Sequence, residues 1–164
     1  MPLTNKIEIL QKLRVDLHQM EGLRISGIRD VDRALGPLKD AFPPHTFPCA
    51  AVHEFLVNER EDGAATGGFI SHLLAAFMIR RGISFWISRS RTVFPPALKA
   101  AGIAPDQLVF VDLKNEKDVV WAIDECLKCD ALTNVVGEVN DLDFTASRRM
   151  QLAAEQSGVT CFVL

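Results

Sequence analysis

Residues 57–68 carry glycines at a spacing that could bind a phosphate group. They follow an apolar segment and precede a long amphipathic one, and Gly63 and Gly68 supply the pattern G-x-x-x-x-G. In a working P-loop the pattern continues with Lys and Ser or Thr, which contact the β/γ-phosphates and Mg²⁺. Here Phe69 and Ile70 follow. An alignment on the preceding strand places alanines at these two positions instead. The residues of this relic P-loop are Asn58, Gly63, Ala64, Ala65 and Gly68.

Neither alignment supplies the lysine, because no lysine occurs between Lys39 and Lys99. Three carboxylates also crowd the segment, at Glu59, Glu61 and Asp62. Carboxylates favour a helix N-terminus for the same electrostatic reason as phosphate, and they repel a triphosphate. We therefore predict that Asp62 is an N-cap or first-turn residue, and that the chain binds neither ATP nor Mg²⁺. Residual nucleotide binding through backbone N–H groups is the alternative.

Other residue types that could support catalysis lack the required pattern. Glu138, near the end of an apolar strand, is a weak candidate for the acidic Walker B residue. The pair Cys126 and Cys129 forms a C-x-x-C without a second ligand pair, so ordinary thiols are expected rather than a zinc site. His53 is expected to face solvent or a loop. We predict no catalytic and no metal-binding residue.

Two basic clusters are candidates for contacts with a partner. One is Arg89 and Arg91 with the nearby Trp86, and the other is Arg148 and Arg149. Arginine with an aromatic side chain is typical of interface hot spots and of phosphate contacts. The alternative for both clusters is an ordinary solvated surface.

The elements that would position these residues alternate regularly from residue 49 onwards. Strands are predicted at residues 51–57, 83–88, 108–112, 132–139 and 159–164. Helices are predicted at residues 61–81, 96–101, 116–128 and 145–156. Strands that are apolar on both faces and alternate with helices indicate a doubly wound, mostly parallel α/β sheet. Residues 49–164 are therefore predicted to form the core.

An amphipathic helix is predicted at residues 1–21, with apolar side chains at three- and four-residue spacing. Those proposed to contact a partner are Leu10, Leu13 and Leu17. Residues 22–48, rich in Gly and Pro, are predicted to be a linker without periodic structure. Because the chain stops at an apolar strand, we expect it to be shorter than its relatives at the C-terminus.

Composition favours a cytoplasmic protein that does not bind a membrane. No apolar run approaches the roughly 20 residues of a membrane span, and the N-terminus has no apolar stretch typical of a secretory signal. The net charge of −3 gives no global electrostatic signature of nucleic-acid binding, so direct DNA binding is left open.

The core resembles the RecA fold and, more specifically, the ImuA family of error-prone repair proteins. The segments that carry the resemblance are VVGEVNDLDFTASRRMQLAAEQSG, residues 135–158, and DVVWAIDECLK, residues 118–128. The likeness covers residues 47–164. The family is similar to the cell-division inhibitor SulA, which shares the core without ATPase function. In RecA an acidic catalytic residue follows the second strand, whereas residues 88–91 here contain no carboxylate.

The resemblance implies a non-catalytic accessory protein of SOS-induced translesion DNA synthesis. Its implied partners are a Y-family-polymerase-like protein, RecA and components of the replicative polymerase. By analogy with RecA, the N-terminal helix is expected to dock on a partner or on a second copy. The alternatives are a SulA-like inhibitor of cell division, a residual ATPase and a DNA-binding protein.

Overall fold

The computed structural model describes residues 28–42, 45–79, 82–91 and 93–164, together with Ile9 and Leu13. Its centre is a five-stranded sheet with the order β1-β5-β4-β2-β3, in which every pairing is parallel. The strands are β1 (Val52–Glu54), β2 (Ile83–Ser88), β3 (Leu108–Asp112), β4 (Leu132–Gly137) and β5 (Thr160–Val163). The predicted fold class is confirmed, with observed strands shorter than the predicted ones at several ends.

In the described residues from Ile28 onwards, five α-helices cover the two faces of the sheet. They are α1 (Arg29–Leu35), α2 (Arg60–Met78), α3 (Pro95–Ala100), α4 (Glu116–Leu127) and α5 (Phe144–Ser157). Short 3-10 turns occur at Gly36–Ala41 and Pro105–Gln107. Helices α1, α2 and α3 pack on one face, while α4 and α5 pack on the other. No helix in these described ranges is long and apolar enough to cross a membrane.

Successive residues of the central strands contribute their side chains in turn to two separate hydrophobic cores, one on each face of the sheet. In β2, Trp86 joins the core under α2, and the next residue, Ile87, joins the core under α4 and α5. In β5, Phe162 likewise joins the core under α2, and Cys161 joins the core under α4 and α5. Side chains of successive strand residues point to opposite faces, so a strand covered on both sides must be apolar throughout.

The segment predicted to be a linker, residues 22–48, contains α1, so that prediction was wrong. Val31 and Leu35 lie one helical turn apart and are buried in the core under α2. Asp32 on the same helix accepts hydrogen bonds from the Thr46 hydroxyl, at 2.8 and 2.9 Å, and from the Phe47 backbone N–H, at 2.8 Å. A single helical turn of apolar residues gives little periodicity in the sequence, which is why the pattern was missed.

The predicted N-terminal helix, including Leu10 and Leu17, lies outside the described residues. Only Ile9 and Leu13 are described there, and both are helical. Each side chain is 52% exposed. Their separation of four residues places them on one side of a helix.

His53 on β1 is stacked between aromatic rings, which contradicts a solvent-facing position but agrees with the alternative that it faces a loop, since Phe47 and Pro48 belong to the irregular segment before β1. Its ring centroid lies 4.3 Å from that of Phe47 and 5.7 Å from that of Phe162. Nε2 is 2.8 Å from the carbonyl oxygen of Pro48, to which a ring N–H donates. Burial lowers the pKa of His53 below its ordinary value of 6.5, against the opposing effect of the Pro48 hydrogen bond.

This lowered pKa predicts a loss of stability in mild acid. The unfolded chain binds a proton at His53 more readily than the folded protein does, so folding is favoured as pH rises. The contribution is complete above the unfolded pKa of 6.5 and is lost as pH falls through the lower folded value. Urea denaturation between pH 8 and pH 5 measures the effect. In His53→Phe, which keeps an aromatic ring in the stack, the free energy of unfolding should fall less in acid than in the wild type.

The exposed His45, which lies 3.3 Å from Asp40, provides the control. His45→Gln should keep the wild-type pH dependence. If His53→Phe shows the same acid-dependent loss as the wild type, His53 does not cause it.

Candidate functional site

The carboxyl ends of the parallel strands meet at one edge of the sheet, where doubly wound folds bind ligands. The connection from β2 leads to β3 on one side, and the connection from β4 leads to β5 on the other. Neighbouring strands whose connections diverge in this way leave a crevice between them. The segments that follow β1, β2 and β4 therefore supply the side chains to examine first.

The segment after β1 does not form a glycine-rich loop. Only residues 55–59 connect β1 to α2, so Gly63 and Gly68, with the alanines between them, lie inside the helix. The helix predicted at residues 61–81 is confirmed as α2, whereas the interpretation of residues 57–68 as a P-loop-like loop is wrong beyond Glu59. Asn58 alone among the relic P-loop residues remains in the connection. Leu56 at this connection is 87% exposed.

Acidic side chains cap the N-terminus of α2. Glu59 is the N-cap, and the Asp62 carboxylate accepts a hydrogen bond from the Glu59 backbone N–H at 3.1 Å. Together the two residues form a capping box. The expected place of Asp62 in the first turn is confirmed. The backbone donors and positive dipole that a P-loop offers to phosphate are thus directed at the chain's own carboxylates.

Glu138, the weak Walker B candidate, is hydrogen-bonded to a buried tryptophan. Its Oε1 accepts from the Trp86 indole N–H at 2.7 Å, and its backbone N–H donates to the Ile87 carbonyl at 2.9 Å. Trp86 is only 1% exposed. Trp86 therefore cannot present a surface to a partner, and its assignment to a partner-binding cluster is corrected. A buried indole needs an acceptor, and Glu138 provides one.

The arginines after β2 are paired with neighbouring carboxylates. Arg89 Nη1 lies 3.3 Å from Glu116 Oε2. The Glu116 carboxylate also accepts hydrogen bonds from the backbone N–H and the side-chain amide of Asn140. Arg91 Nη2 lies 2.6 Å from Asp112 Oδ2 and forms an ion pair with it. The guanidinium carbon of Arg91 also lies 4.3 Å from the centre of the Phe110 ring. These contacts join the segments after β2 and β4 to the start of α4 and reduce the positive charge at the crevice.

The second basic cluster lies away from this edge, on α5. Arg149 Nε donates to Asp124 on α4 at 2.9 Å, and Lys128 reaches the same carboxylate at 3.1 Å. Burial alone would raise the pKa of Asp124, but hydrogen bonds from the two cations outweigh burial and hold it below the ordinary value. Arg148 is exposed and takes no part in the ion pairs with Asp124. Arg148 and Arg149, although adjacent in the sequence, therefore have different surroundings.

The thiols do not form a reactive or metal-binding centre in the described part of the chain. Burial raises the pKa of Cys49 to about 11 and also raises that of Cys126, with Cys129 a smaller contributor to the latter. Cys129 itself is exposed. Thiolates are the reactive and ligating form, so raised pKa values disfavour both roles. No group of three potential ligands among the described His, Cys, Asp and Glu residues could hold a metal ion.

Exposed apolar side chains on α4 and α5 were not identified from the sequence. Trp121 on α4 is 63% exposed and Phe144 at the start of α5 is 85% exposed. Both lie in the two segments that carry the family resemblance. The signal available in the sequence was spacing, because Phe144, Arg148 and Leu152 follow one another at intervals of four residues.

Comparison with solved structures places this fold among SulA-like α/β proteins. The crystal structure of SulA from Pseudomonas aeruginosa matches with a TM-score of 0.56 and 14% identity, over 71% of this chain and 98% of that one. At this identity the likeness shows a shared fold alone. No family model matches the chain.

Comparison with curated proteins identifies the family. Protein ImuA from two strains of Caulobacter vibrioides is 30% identical over 120 residues, which are 71% of this chain and 49% of each relative. The chain is therefore assigned to the ImuA family, as its sequence predicted. It spans about half the length of these relatives.

The hydrogen bond between Trp86 and Glu138 predicts a structural role for the carboxylate. Glu138→Ala should lower the free energy of unfolding by about 1–3 kcal/mol, because it leaves a buried donor unsatisfied. Glu138→Gln keeps an oxygen acceptor and should lower it less. Urea denaturation followed by tryptophan fluorescence measures both.

A double-mutant cycle with Trp86→Phe isolates the pair from the other contacts of Glu138. We expect a coupling energy of about 1 kcal/mol. A coupling energy near zero would contradict the proposed role.

Proposed function

We propose that the chain is a non-catalytic, RecA-like accessory protein of SOS-induced error-prone translesion DNA synthesis. It acts in the cytoplasm through protein–protein contacts with a Y-family-polymerase-like partner and with RecA. Membership of the ImuA family supports the place in DNA-damage tolerance. The observation that supports a non-catalytic mechanism is the acidic N-terminus of α2.

At that N-terminus, two carboxylates take the place that a phosphate group would need. The Glu59 and Asp62 side chains are directed to the helix donors, and the connecting residues present Leu56 to solvent. A triphosphate would have to displace two carboxylates from the region of positive helix potential. The connection and the helix that follow β1 supply no lysine to offset this charge, because residues 40–98 contain none.

The remaining charged groups at the sheet edge also favour a structural role. Arg89 and Arg91 are held by Glu116 and Asp112, and Glu138 accepts from Trp86. Charged side chains paired within the protein add little affinity for an external anion, because binding requires breaking those pairs. We therefore assign partner binding to the outer helix surfaces and to the N-terminal segment. Exposed apolar residues Ile9 and Leu13 make that segment a candidate for docking on RecA or on a second copy.

The sequence also allowed a SulA-like inhibitor of cell division. The likeness to SulA concerns the fold alone, so it gives this alternative no separate support. Involvement of replicative-polymerase components follows from the family resemblance and belongs to the same proposal.

Binding measured with purified partners tests the proposal. The protein is immobilised, and the Y-family-polymerase-like protein of the same cell is passed over it by biolayer interferometry without nucleotide. We expect saturable binding that Mg-ATP does not alter. RecA should bind the full protein and lose affinity when residues 1–21 are deleted.

The matched control is a single substitution at the relic P-loop, Asn58→Ala, which should leave both affinities unchanged. Absence of binding to both partners would refute the proposal. Binding that depends on ATP and is lost in Asn58→Ala would instead support residual nucleotide binding.

A further inference from the structure

The outward face of α5 presents an apolar stripe interrupted by one cation. Phe144, Arg148 and Leu152 are spaced by four residues, so they lie along one side of the helix. Phe144 and Leu152 are 85% and 42% exposed, and Arg148 between them is also exposed. Large apolar side chains on an outer helix face often mark a contact surface.

Other side chains of α5 contact the sheet or neighbouring elements, whereas the stripe faces away from them. Ala146 and Met150 are buried against the sheet. Arg149 reaches sideways to Asp124 on α4, and Ser147 donates to Glu54 on β1 at 2.6 Å. Arg148, by contrast, makes no ion pair with any residue in the described ranges.

We propose that this stripe, Phe144–Arg148–Leu152, docks an amphipathic segment of the polymerase-like partner that carries a carboxylate between two apolar side chains. The carboxylate pairs with Arg148, and the apolar side chains cover Phe144 and Leu152. This inference rests on the proposed function. It is supported by charge complementarity, since an unpaired guanidinium flanked by apolar groups is matched by an acidic, apolar ligand.

The same surface does not suit nucleic acid. A phosphate backbone needs several cations in register, whereas the stripe offers one. Carboxylates lie on the same helix or just before it, with Asp143 at the N-cap, Glu155 near the end and Asp141 two residues before the N-cap. These negative charges repel a polyanion but tolerate a peptide with a single carboxylate.

A second copy of the chain is a poorer occupant as well. Arg148 is the central residue of the stripe, so a two-fold axis through the stripe would bring two guanidinium groups together. Like charges at the centre of an apolar contact disfavour association.

Charge reversal and apolar-to-acidic substitution test the docking surface. In the full-length protein, Arg148→Glu and Leu152→Asp should each weaken binding of the purified polymerase-like protein at least ten-fold. Arg148→Lys keeps the charge but loses the planar donor geometry, and should weaken binding less. The control is Lys99→Glu, an equal charge reversal on α3, across the sheet, which should leave the affinity unchanged.

Restoration by the partner provides the sharper readout. Replacing acidic residues of the partner by Arg, one at a time, should restore affinity for Arg148→Glu at one position. Circular dichroism and thermal unfolding confirm that the variants remain folded, because all three substituted side chains are exposed.

Each other outcome overturns the inference in a distinguishable way. If wild-type protein binds and both variants bind equally well, the stripe is not the docking site but the proposed function stands. If wild-type protein does not bind, both fail. A dimer in sedimentation that Arg148→Glu dissociates would identify a second copy as the occupant. Salt-dependent binding of single-stranded DNA that Arg148→Glu abolishes would identify nucleic acid.

Discussion

The structure depends on the need to cover a parallel sheet on both faces. Because every strand runs in the same direction, each connection must cross the sheet with a helix, and the central strands must be apolar on both sides. Trp86 and Ile87 show the consequence within two consecutive residues, since one packs under α2 and the other under α4 and α5. The same geometry collects all carboxyl ends of the strands at one edge. That edge is where doubly wound folds in general hold their ligands.

In this protein the polar groups at that edge are used by the fold. Glu59 and Asp62 cap α2, Glu138 accepts from Trp86, and Glu116 joins Arg89 to the segment after β4. Each contact is modest in energy, because exposed ion pairs contribute about 0–1 kcal/mol and hydrogen bonds about 1 kcal/mol. Together they hold the edge of the sheet in place without the lysine that nucleotide chemistry requires. Under the proposed function, partner binding falls to the outer helices, where exposed apolar and basic side chains lie.

The sequence predicted the core well because its signal is strong there. Apolar strands that alternate with helices define the fold. The absence of lysine from residues 40–98 can be seen in the sequence without a structure. The helix α1 escaped detection because its buried residues, Val31 and Leu35, occupy a single turn flanked by glycines and prolines. The glycines at 63 and 68 resembled those of a P-loop, although the apolar spacing predicted a helix from residue 61, and the structure has a helix through both glycines. Composition can be counted from the sequence, whereas the burial of a side chain depends on which residues pack around it in the fold. Trp86 was therefore predicted at a partner surface and His53 facing solvent or a loop, whereas the structure buries Trp86 against Glu138 and stacks His53 between aromatic rings.

We propose that the edge of the sheet does not bind nucleotide. Isothermal titration calorimetry of the full-length protein with Mg-ATP tests it most directly, because binding heat does not depend on turnover. We predict no saturable heat up to roughly 1 mM nucleotide, the affinity range in which a functional site would be evident. Saturable binding of Mg-ATP that is weakened by substitution of Asn58 or Gly63 would contradict the account.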